Sequence, residues 1–311
     1  MSTAPVVPQN GHEVQLRSRR RLLGAAMALL PASACTYNPD ADHDGADAPA
    51  VGALARTPRV AWVFSSGGPR GFVHVGVLKA LHELRLRPEL IVGASAGAVV
   101  GCLYAAQMPM VQLETLALEL PPWKLARLAL TGSERLSGAA LAELVREQVN
   151  ACAGTMLLEK LPLTMVCVAQ RLGDGGVVGF NRGDVGLAVQ AAAAIEGQFA
   201  PVRIRGQRYA DADLRMPLPV RLARALGATR VLAVDASAHE ERTPPGAERW
   251  RESDLRKREL TAPDAAAADV LLHPEFGYWA NIHREYRERA IGAGYRATLA
   301  AAKELHAMHA L

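Results

Sequence analysis

A serine lies between two glycines in the pentapeptide Gly93-Ala94-Ser95-Ala96-Gly97. A nucleophilic serine on a sharp turn from a strand into a helix takes a strained backbone conformation, and only small neighbours leave room for it. The apolar run 90–92 precedes the pentapeptide, and small residues follow it. The spacing predicts that Ser95 is the nucleophile of an acyl-transfer reaction; the alternative is that the glycines merely allow close helix packing.

A second glycine cluster, Gly67, Gly68 and Gly71, follows the apolar run 59–64. Backbone N–H groups at such a turn can stabilise the oxyanion of an acyl-transfer intermediate. The loop lacks the Lys-Ser/Thr ending of a P-loop and the glycine spacing of a dinucleotide fingerprint, so nucleotide binding is the poorer interpretation. Arg70 is predicted either to hold the loop by bonding carbonyl groups or to attract an anionic head group.

The elements that position these residues read as strand, loop, helix, strand, turn and helix over residues 59–106, a pattern of parallel strands joined by crossovers. Later apolar runs predict further strands at 163–169, 177–181, 231–235 and 270–273, a hairpin over 202–210 centred on Gly206-Gln207, and helices at 185–194 and 282–309. We therefore predict a three-layer α/β fold, with a largely parallel sheet, helices on both faces and the site at the carboxyl ends of the strands.

Two helical segments are open to more than one interpretation. Residues 110–153 carry more apolar side chains than one helix needs, which favours either a cap that admits an acyl chain or ordinary core. The mixed charges of 248–259 indicate a solvated surface segment. His74 and His82, on the first helix, are expected at the surface.

Composition excludes several classes of protein. The 311 residues are 50% hydrophobic, and 35 basic against 31 acidic residues leave a charge of only +4, which gives no reason to expect a nucleic-acid partner. The four cysteines lack the paired spacing of a zinc site and are too sparse for a disulfide scaffold. No metal and no cofactor are predicted.

The first 35 residues have the layout of an export signal, with arginines at 17 and 19–21, an apolar run, and small residues ending at Cys35. Residues 18–23 are similar to a twin-arginine signal, and Cys35 is similar to the lipid-modified first residue of a bacterial lipoprotein. The prediction is a periplasmic protein held at a membrane surface through a lipid on Cys35. The alternative is a cytoplasmic protein that keeps an N-terminal tail.

Residues 36–58 are rich in Asp, Ala, Pro and Gly and poor in large apolar side chains, so a flexible tether is predicted there. Residues 59–311 would then form the folded domain. These boundaries divide the chain into signal, tether and one domain.

Three motifs in this order resemble those of the patatin-like phospholipases: the loop Ser66–Gly71, the pentapeptide Gly93–Gly97, and Asp211-Ala212. The resemblance extends over roughly residues 59–234. It implies a serine acyl hydrolase acting on lipid-like esters without a cofactor, in which Ser95 attacks the acyl carbonyl and Asp211 takes its proton. The N–H groups of Gly67, Gly68 and Ala96 would stabilise the oxyanion.

The chain departs from the family pattern at Ser66, where the first loop glycine is expected, at Asp213, which replaces a glycine, and at Glu196, which replaces a proline. A carboxylate at 213 makes protonation of Asp211 easier unless Arg215 offsets it, so weak activity or activity at higher pH is expected.

Two alternatives follow from the sequence. One is a catalytically silent lipid-binding lipoprotein of the same fold, which the departures near the site favour. The other is a Ser-Asp-His triad in which His273 is the base, with Asp235 or Asp211 as its partner.

Overall fold

The structure, a computed structural model, describes residues 41–121, 124–128 and 136–310. Eleven strands lie in these described residues, most of them short apolar runs; nine make one sheet and two form a small separate pair. The strands are β1 (Asp42–His43), β2 (Val60–Phe64), β3 (Leu90–Ala94), β4 (Arg127–Leu128), β5 (Leu136–Ser137), β6 (Thr164–Arg171), β7 (Val177–Phe180), β8 (Val202–Ile204), β9 (Gln207–Asp211), β10 (Arg230–Val234) and β11 (Val270–Leu272).

The large sheet has the spatial order β1-β8-β9-β6-β3-β2-β10-β11, and β7 also pairs with β6. Strands β6, β3, β2, β10 and β11 run parallel, whereas β7 and β9 are antiparallel to β6. The predicted α/β fold with a mostly parallel sheet is confirmed. Because the five parallel strands point the same way, the loops that leave β2, β3 and β10 meet at one edge of the sheet.

Nine α-helices in the described residues connect or follow these strands. They are α1 (Phe72–Glu83), α2 (Ala96–Ala105), α3 (Met110–Glu119), α4 (Ala139–Ala153), α5 (Val185–Ala192), α6 (Val220–Ala225), α7 (Glu248–Ala266), α8 (Arg284–Ala300) and α9 (Ala302–Ala310). None of them combines the length and apolar composition needed to cross a bilayer.

Alternate side chains of the central strands enter two separate hydrophobic clusters. Trp62 and Phe64 of β2 belong to a cluster with residues of α1, α2 and α8, while Ala61 and Val63 belong to a second cluster with residues of α6. The sheet is thus covered on both faces, which explains why its strands are continuous apolar runs rather than alternating ones.

The hairpin of β8 and β9 turns one residue earlier than predicted. Ile204 pairs with Gln207, so the two turn residues are Arg205 and Gly206, with φ of 46° and 76°. Positive φ at both central residues matches the right-handed twist of the strands. The turn places Asp211 at the end of β9.

The structure describes residues 41–58 of the predicted tether. This segment follows an ordered course along the domain, which corrects the expected flexible coil. Asp42 and His43 pair in parallel with β8, and Ala48 is buried. Asn181 exchanges two hydrogen bonds of 2.7 Å with the backbone of Gly52. Backbone pairing and side-chain amides thus supply the contacts that a segment poor in large apolar residues cannot supply by burial.

The segment predicted as a cap, 110–153, contributes several of its described apolar residues to the core. Leu113 of α3 is 1% exposed, and Val145 and Val149 of α4 are buried in the same hydrophobic cluster. Arg287 of α8 donates to the carbonyl groups of residues 117, 118 and 120, which holds the end of α3 against α8. Trp123 is one of the residues of this segment that lie outside the described part of the chain.

Candidate active site

Ser95 and Asp211 lie next to each other along one edge of β6, because β7 pairs with the opposite edge at both Val168 and Ala169. Ala94, the last residue of β3, pairs with Val168 of β6, and Asp211 pairs with the next residue of β6, Ala169. Ser95 follows Ala94 directly, so the register brings the hydroxyl and the carboxyl to one edge. The structure therefore places together the two residues that the sequence singled out.

Ser95 begins helix α2 in a strained conformation, with φ 51° and ψ −120°. The neighbouring glycines make this turn possible by their lack of a side chain. A Cβ at Gly93 would lie 2.4 Å from the carbonyl oxygen of Gly97, and one at Gly97 would lie 2.3 Å from that of Phe64. Both contacts are with backbone atoms and cannot relax, so the pentapeptide requires glycine at both ends.

The glycine-rich loop lies directly against the first turn of α2. A Cβ at Gly71 would lie 2.3 Å from the Cβ of Ala96. Gly67 and Gly68 line the same cavity as Ser95, and the N–H groups of Gly67, Gly68 and Ala96 donate to no acceptor within the described parts of the chain. These three donors remain available for an oxyanion beside Ser95.

Arg70 holds this loop in place through hydrogen bonds to backbone carbonyl groups. Its Nε donates to the carbonyl of Ala236 at 2.8 Å, and its Nη1 donates to the carbonyls of Gly277 and Tyr278 at 3.0 Å each. The guanidinium also packs on the ring of Phe276, 4.4 Å from its centroid. Of the two roles that the sequence allows, these contacts favour the one in which Arg70 holds the loop in shape.

His74 also holds the glycine-rich loop. It is buried, which corrects the expectation that it lies on the surface, whereas His82 is exposed as expected. The His74 side chain is fully buried, and burial lowers its pKa to about 4. The neutral imidazole donates from Nε2 to the carbonyl of Ser65, 2.9 Å away, and its buried Nδ1 has no partner among the described residues. His74 thus holds the start of the glycine-rich loop.

The carboxyl of Asp211 is almost completely buried. Its Oδ1 accepts a hydrogen bond from the N–H of Asp213 at 2.9 Å, whereas Oδ2 has no hydrogen bond of ordinary geometry among the described residues. Burial raises the pKa of Asp211 to about 7; the nearby Ser95 hydroxyl lowers it, the Asp213 carboxylate raises it and Lys257 lowers it. A carboxyl with this pKa and a free oxygen can accept a proton near neutral pH.

The charge that offsets Asp213 comes from an unexpected residue. Lys257 of α7 forms an ion pair with Asp213, and its Nζ also donates to Ser66 Oγ at 2.9 Å. Arg215, which the sequence suggested for this role, is exposed. Glu196 is exposed as well and lies away from the cavity lining.

The site opens into a cavity of about 270 Å³. Its wall combines the glycine-rich loop with polar residues of α7, the helix that had been interpreted only as a solvated surface. The lining residues are Gly67, Gly68, Arg70, Ser95, Ile195, Asp211, Asp213, Ser237, Ala238, Ser253, Asp254 and Lys257. No described residue of 110–153 is among them.

Sequence reasoning missed Ser253, Asp254 and Lys257 because α7 mixes both signs of charge without an apolar stripe. In the helix, 253, 254 and 257 share one face, and that face is turned to the cavity. The i, i+1, i+4 spacing of Ser253, Asp254 and Lys257 is the only local signal, and it is common on solvated helices.

His273 has other partners than Ser95. Its Nε2 lies 3.1 Å from the carbonyl oxygen of Ser237, and its ring stacks on His239 with centroids 3.7 Å apart. Burial lowers the pKa of His273. Within the described residues, none of its contacts reaches Ser95 or Asp211, so the arrangement disfavours the triad.

Two remaining predictions concern cysteines and metals. Cys102, on the helix that follows Ser95, is buried and forms no disulfide; its Sγ lies 3.4 Å from that of Cys167. The described residues contain no cluster of three potential metal ligands. Cys35 lies outside the described residues, so its lipid modification stays a prediction.

Comparison with known proteins identifies the family of the chain. Residues 62–224 match the profile of a protein family described as patatin-like phospholipase. An uncharacterized NTE family protein of Mycobacterium tuberculosis is 35% identical over 184 residues, which is 59% of this chain and 51% of that protein. The lysophospholipase NTE1 of Coccidioides immitis is 26% identical over 189 residues, 60% of this chain and 12% of that protein.

Among solved structures, VipD from Legionella pneumophila shares the fold, with a TM-score of 0.55 and 12% identity over 88% of this chain and 72% of that one. The chain thus spans about half the length of the mycobacterial relative and a small part of the fungal one. The family match includes the glycine-rich loop, the Ser95 turn and Asp211. The chain belongs to the patatin-like phospholipase family.

Proposed function

We propose that this protein is a serine acyl hydrolase that cleaves lipid-like esters with a Ser95-Asp211 dyad. The observation that carries the proposal is the free Oδ2 of Asp211, buried beside the strained Ser95 and level with it in the sheet. Membership of the family and the name of the fungal relative, a lysophospholipase, support a lipid as the source of the acyl group.

In the proposed reaction, Ser95 Oγ attacks the acyl carbonyl while Asp211 takes the hydroxyl proton. The carbonyl oxygen becomes an oxyanion that accepts from the N–H groups of Gly67, Gly68 and Ala96. Collapse of this intermediate breaks the ester bond, and the departing alcohol takes the proton from Asp211. Water then attacks the acyl-Ser95 ester while Asp211 accepts its proton; the bond to Ser95 Oγ breaks, Asp211 returns the proton to Oγ, and the carboxylic acid is released.

The test is hydrolysis of a short acyl ester and of a lysophospholipid by four forms of the protein. Wild type should cleave at least one of them, and Ser95→Ala should abolish cleavage. Asp211→Asn should lower turnover by roughly 10²-fold or more, as expected for loss of a general base. His273→Ala should retain wild-type turnover.

Three results would contradict the proposal. Turnover that survives Ser95→Ala would place the nucleophile elsewhere. A loss in His273→Ala that exceeds the loss in Asp211→Asn would favour the triad. Absence of turnover in all four forms on a broad panel of esters would favour the silent lipid-binding alternative.

We also propose that the protein acts on the periplasmic side of a membrane, anchored through a lipid on Cys35. The support is the order of arginines, apolar run and small residues before Cys35. Mass spectrometry of the N-terminal peptide from the membrane fraction tests it. An acylated N-terminal Cys35 is expected, and an intact Met1 or Ser2 would support the cytoplasmic alternative.

A further inference from the structure

Two of the sequence departures, Ser66 and Asp213, meet in the structure at Lys257. Ser66 Oγ and Lys257 Nζ both donate to Oδ1 of Asp213, and Lys257 Nζ also donates to Ser66 Oγ at 2.9 Å. We call these three side chains the Ser66–Asp213–Lys257 cluster. Its members come from the loop after β2, the turn after β9, and helix α7, so it joins three parts of the chain that are far apart in sequence.

Two members of the cluster are directly linked to residues of the proposed active site, Ser66 by a peptide bond and Asp213 by a hydrogen bond. Ser66 precedes Gly67, whose N–H is one of the free donors beside Ser95. Asp213 donates its own N–H to Oδ1 of Asp211 at 2.9 Å. The Ser66 backbone is fixed in turn by donation to the carbonyl of Pro217 at 2.8 Å. Lys257 therefore links the oxyanion loop, through Ser66, to the turn that bonds Asp211, through Asp213.

The cluster also sets the charge that Asp211 meets. The Asp213 carboxylate disfavours ionisation of Asp211, and the Lys257 ammonium favours it. The two other charged groups of the cavity wall are engaged elsewhere: Arg70 of the glycine-rich loop bonds three carbonyls, and Asp254 of α7 accepts from the hydroxyl of Tyr278. Lys257 is thus the cation that balances Asp213.

We propose that Lys257 is a positioning residue of the acyl hydrolase, which neutralises Asp213 and ties the oxyanion loop to Asp211 so that Asp211 stays available as a base at neutral pH. The inference rests on the proposed function. Lys257 itself does not touch the reacting atoms; it acts through Asp213 and Ser66. It also accounts for the joint presence of Ser66 and Asp213, because a carboxylate at 213 without Lys257 would disfavour the ionised base.

The test compares Lys257→Met with Lys257→Arg, with the double variant Asp213→Asn/Lys257→Met, and with Arg256→Met as matched control. Arg256 is an exposed cation on the same helix, so its loss changes the net charge equally without touching the cluster. The first readout is the rate at which a fluorophosphonate labels Ser95 between pH 5 and 9. The second is the ¹³C NMR titration of the Asp211 carboxyl, assigned by comparison with Asp211→Asn, which needs no activity.

Lys257→Met is expected to raise the midpoint of both profiles by about one pH unit. Labelling at pH 7 should fall about fivefold, since the ionised fraction of Asp211 drops from about one half to about one tenth. The double variant, which removes both charges, should bring the midpoint back to or below the wild-type value. Lys257→Arg and Arg256→Met should titrate as wild type.

An unchanged midpoint in Lys257→Met, or a double variant that stays shifted upward, would overturn the proposal. If wild type is not labelled at all, the proposed hydrolase function fails, and the carboxyl titration still decides whether Lys257 controls Asp211. A labelled wild type with an unshifted Lys257→Met variant would instead overturn the role of Lys257 alone. Melting temperatures identify any variant that fails to fold. Lys257→Arg keeps a positive charge at position 257 and serves as the folded reference for the charge-removing variants.

Discussion

Asp211 pairs with Ala169 of β6, and Ser95 follows Ala94, which pairs with the preceding residue Val168 on the same edge of β6. The relative position of nucleophile and base is therefore fixed by backbone pairing along one edge of a single strand. Such a site needs no flexible loop to bring its two side chains together. A one-residue slip of β9 would turn Asp211 to the opposite face of the sheet.

The close approach of α2 to β2 predicts that Gly97→Ala damages the site. The new Cβ would lie 2.3 Å from the carbonyl oxygen of Phe64, a backbone atom that cannot move aside. We expect the free energy of unfolding to fall by roughly 1–3 kcal/mol, as for overpacked cores, and labelling of Ser95 by a fluorophosphonate to be lost.

Gly45→Ala is the matched control, because nothing lies within 4 Å of a Cβ at that position. Urea unfolding of both variants makes the comparison. A Gly97→Ala protein as stable and as reactive as the Gly45→Ala protein would show that the close approach is not required.

Burial of Asp211 predicts a specific dependence of stability on pH. The folded pKa of about 7 lies above the ordinary value of 3.8, so the folded protein holds a proton that the unfolded chain has released. This contribution to stability is complete below about pH 4 and is lost as pH rises to 7. Asp211→Asn removes the ionisable group and should gain stability relative to wild type over the same interval.

The gain at pH 8 is expected to be a few kcal/mol larger than at pH 4.5, since each pKa unit corresponds to about 1.4 kcal/mol. Urea unfolding at the two pH values measures it. A stability difference between Asp211→Asn and wild type that does not vary with pH would contradict the raised pKa.

The contacts of Arg70 predict that it cannot be replaced by lysine. An ammonium group cannot reach the carbonyl groups of Ala236, Gly277 and Tyr278 together, although it keeps the charge. Arg70→Lys should lower the free energy of unfolding by roughly 1.5–3 kcal/mol. Hydrolysis of neutral and of anionic esters should fall by the same factor.

The head-group role that the sequence left open for Arg70 predicts a different result. Arg70→Lys would then keep most of its activity, and Arg70→Met would lose activity on anionic esters alone. Kinetics of both variants on a matched pair of esters distinguish the two roles.

Burial of Leu113 predicts that α3 is core rather than cap. Leu113→Ala should lower the free energy of unfolding by about 2–5 kcal/mol, because the side chain is 1% exposed among apolar neighbours. Val111→Ala, on the same helix and 78% exposed, should change it by less than about 0.5 kcal/mol. Neither variant should alter the preference among esters of increasing acyl length. A changed preference in Leu113→Ala would support the interpretation of α3 as part of a cap.

Much of the sheet and part of the site could be predicted from the sequence because both depend on local patterns. Continuous apolar runs such as 60–64 mark strands buried on both faces, and the glycines around Ser95 mark a turn with no room for side chains. Ser95 and the free donors of Gly67 and Gly68 follow from those patterns together.

The residues that were missed depend on long-range contacts. Lys257 lies 191 positions from Ser66, and its charge run resembles any solvated helix. Ala48 accepts a hydrogen bond from Arg205, and Gly52 is bonded to Asn181, both far along the chain, so a composition typical of linkers did not reveal the ordered segment 41–58. The buried His74 donates to the carbonyl of Ser65, and the spacing of apolar residues in α1 does not predict this hydrogen bond.

The most direct test of the account is the position of a covalent fluorophosphonate adduct. The purified protein would be labelled at pH 8, digested, and mapped by mass spectrometry, with Ser95→Ala as the control. Because Ser66, Ser237 and Ser253 lie in or beside the same cavity, the peptide map distinguishes the nucleophile from its neighbours. The account predicts one adduct, on Ser95, and none in the Ser95→Ala protein; an adduct on another serine, or undiminished labelling of Ser95→Ala, would contradict it.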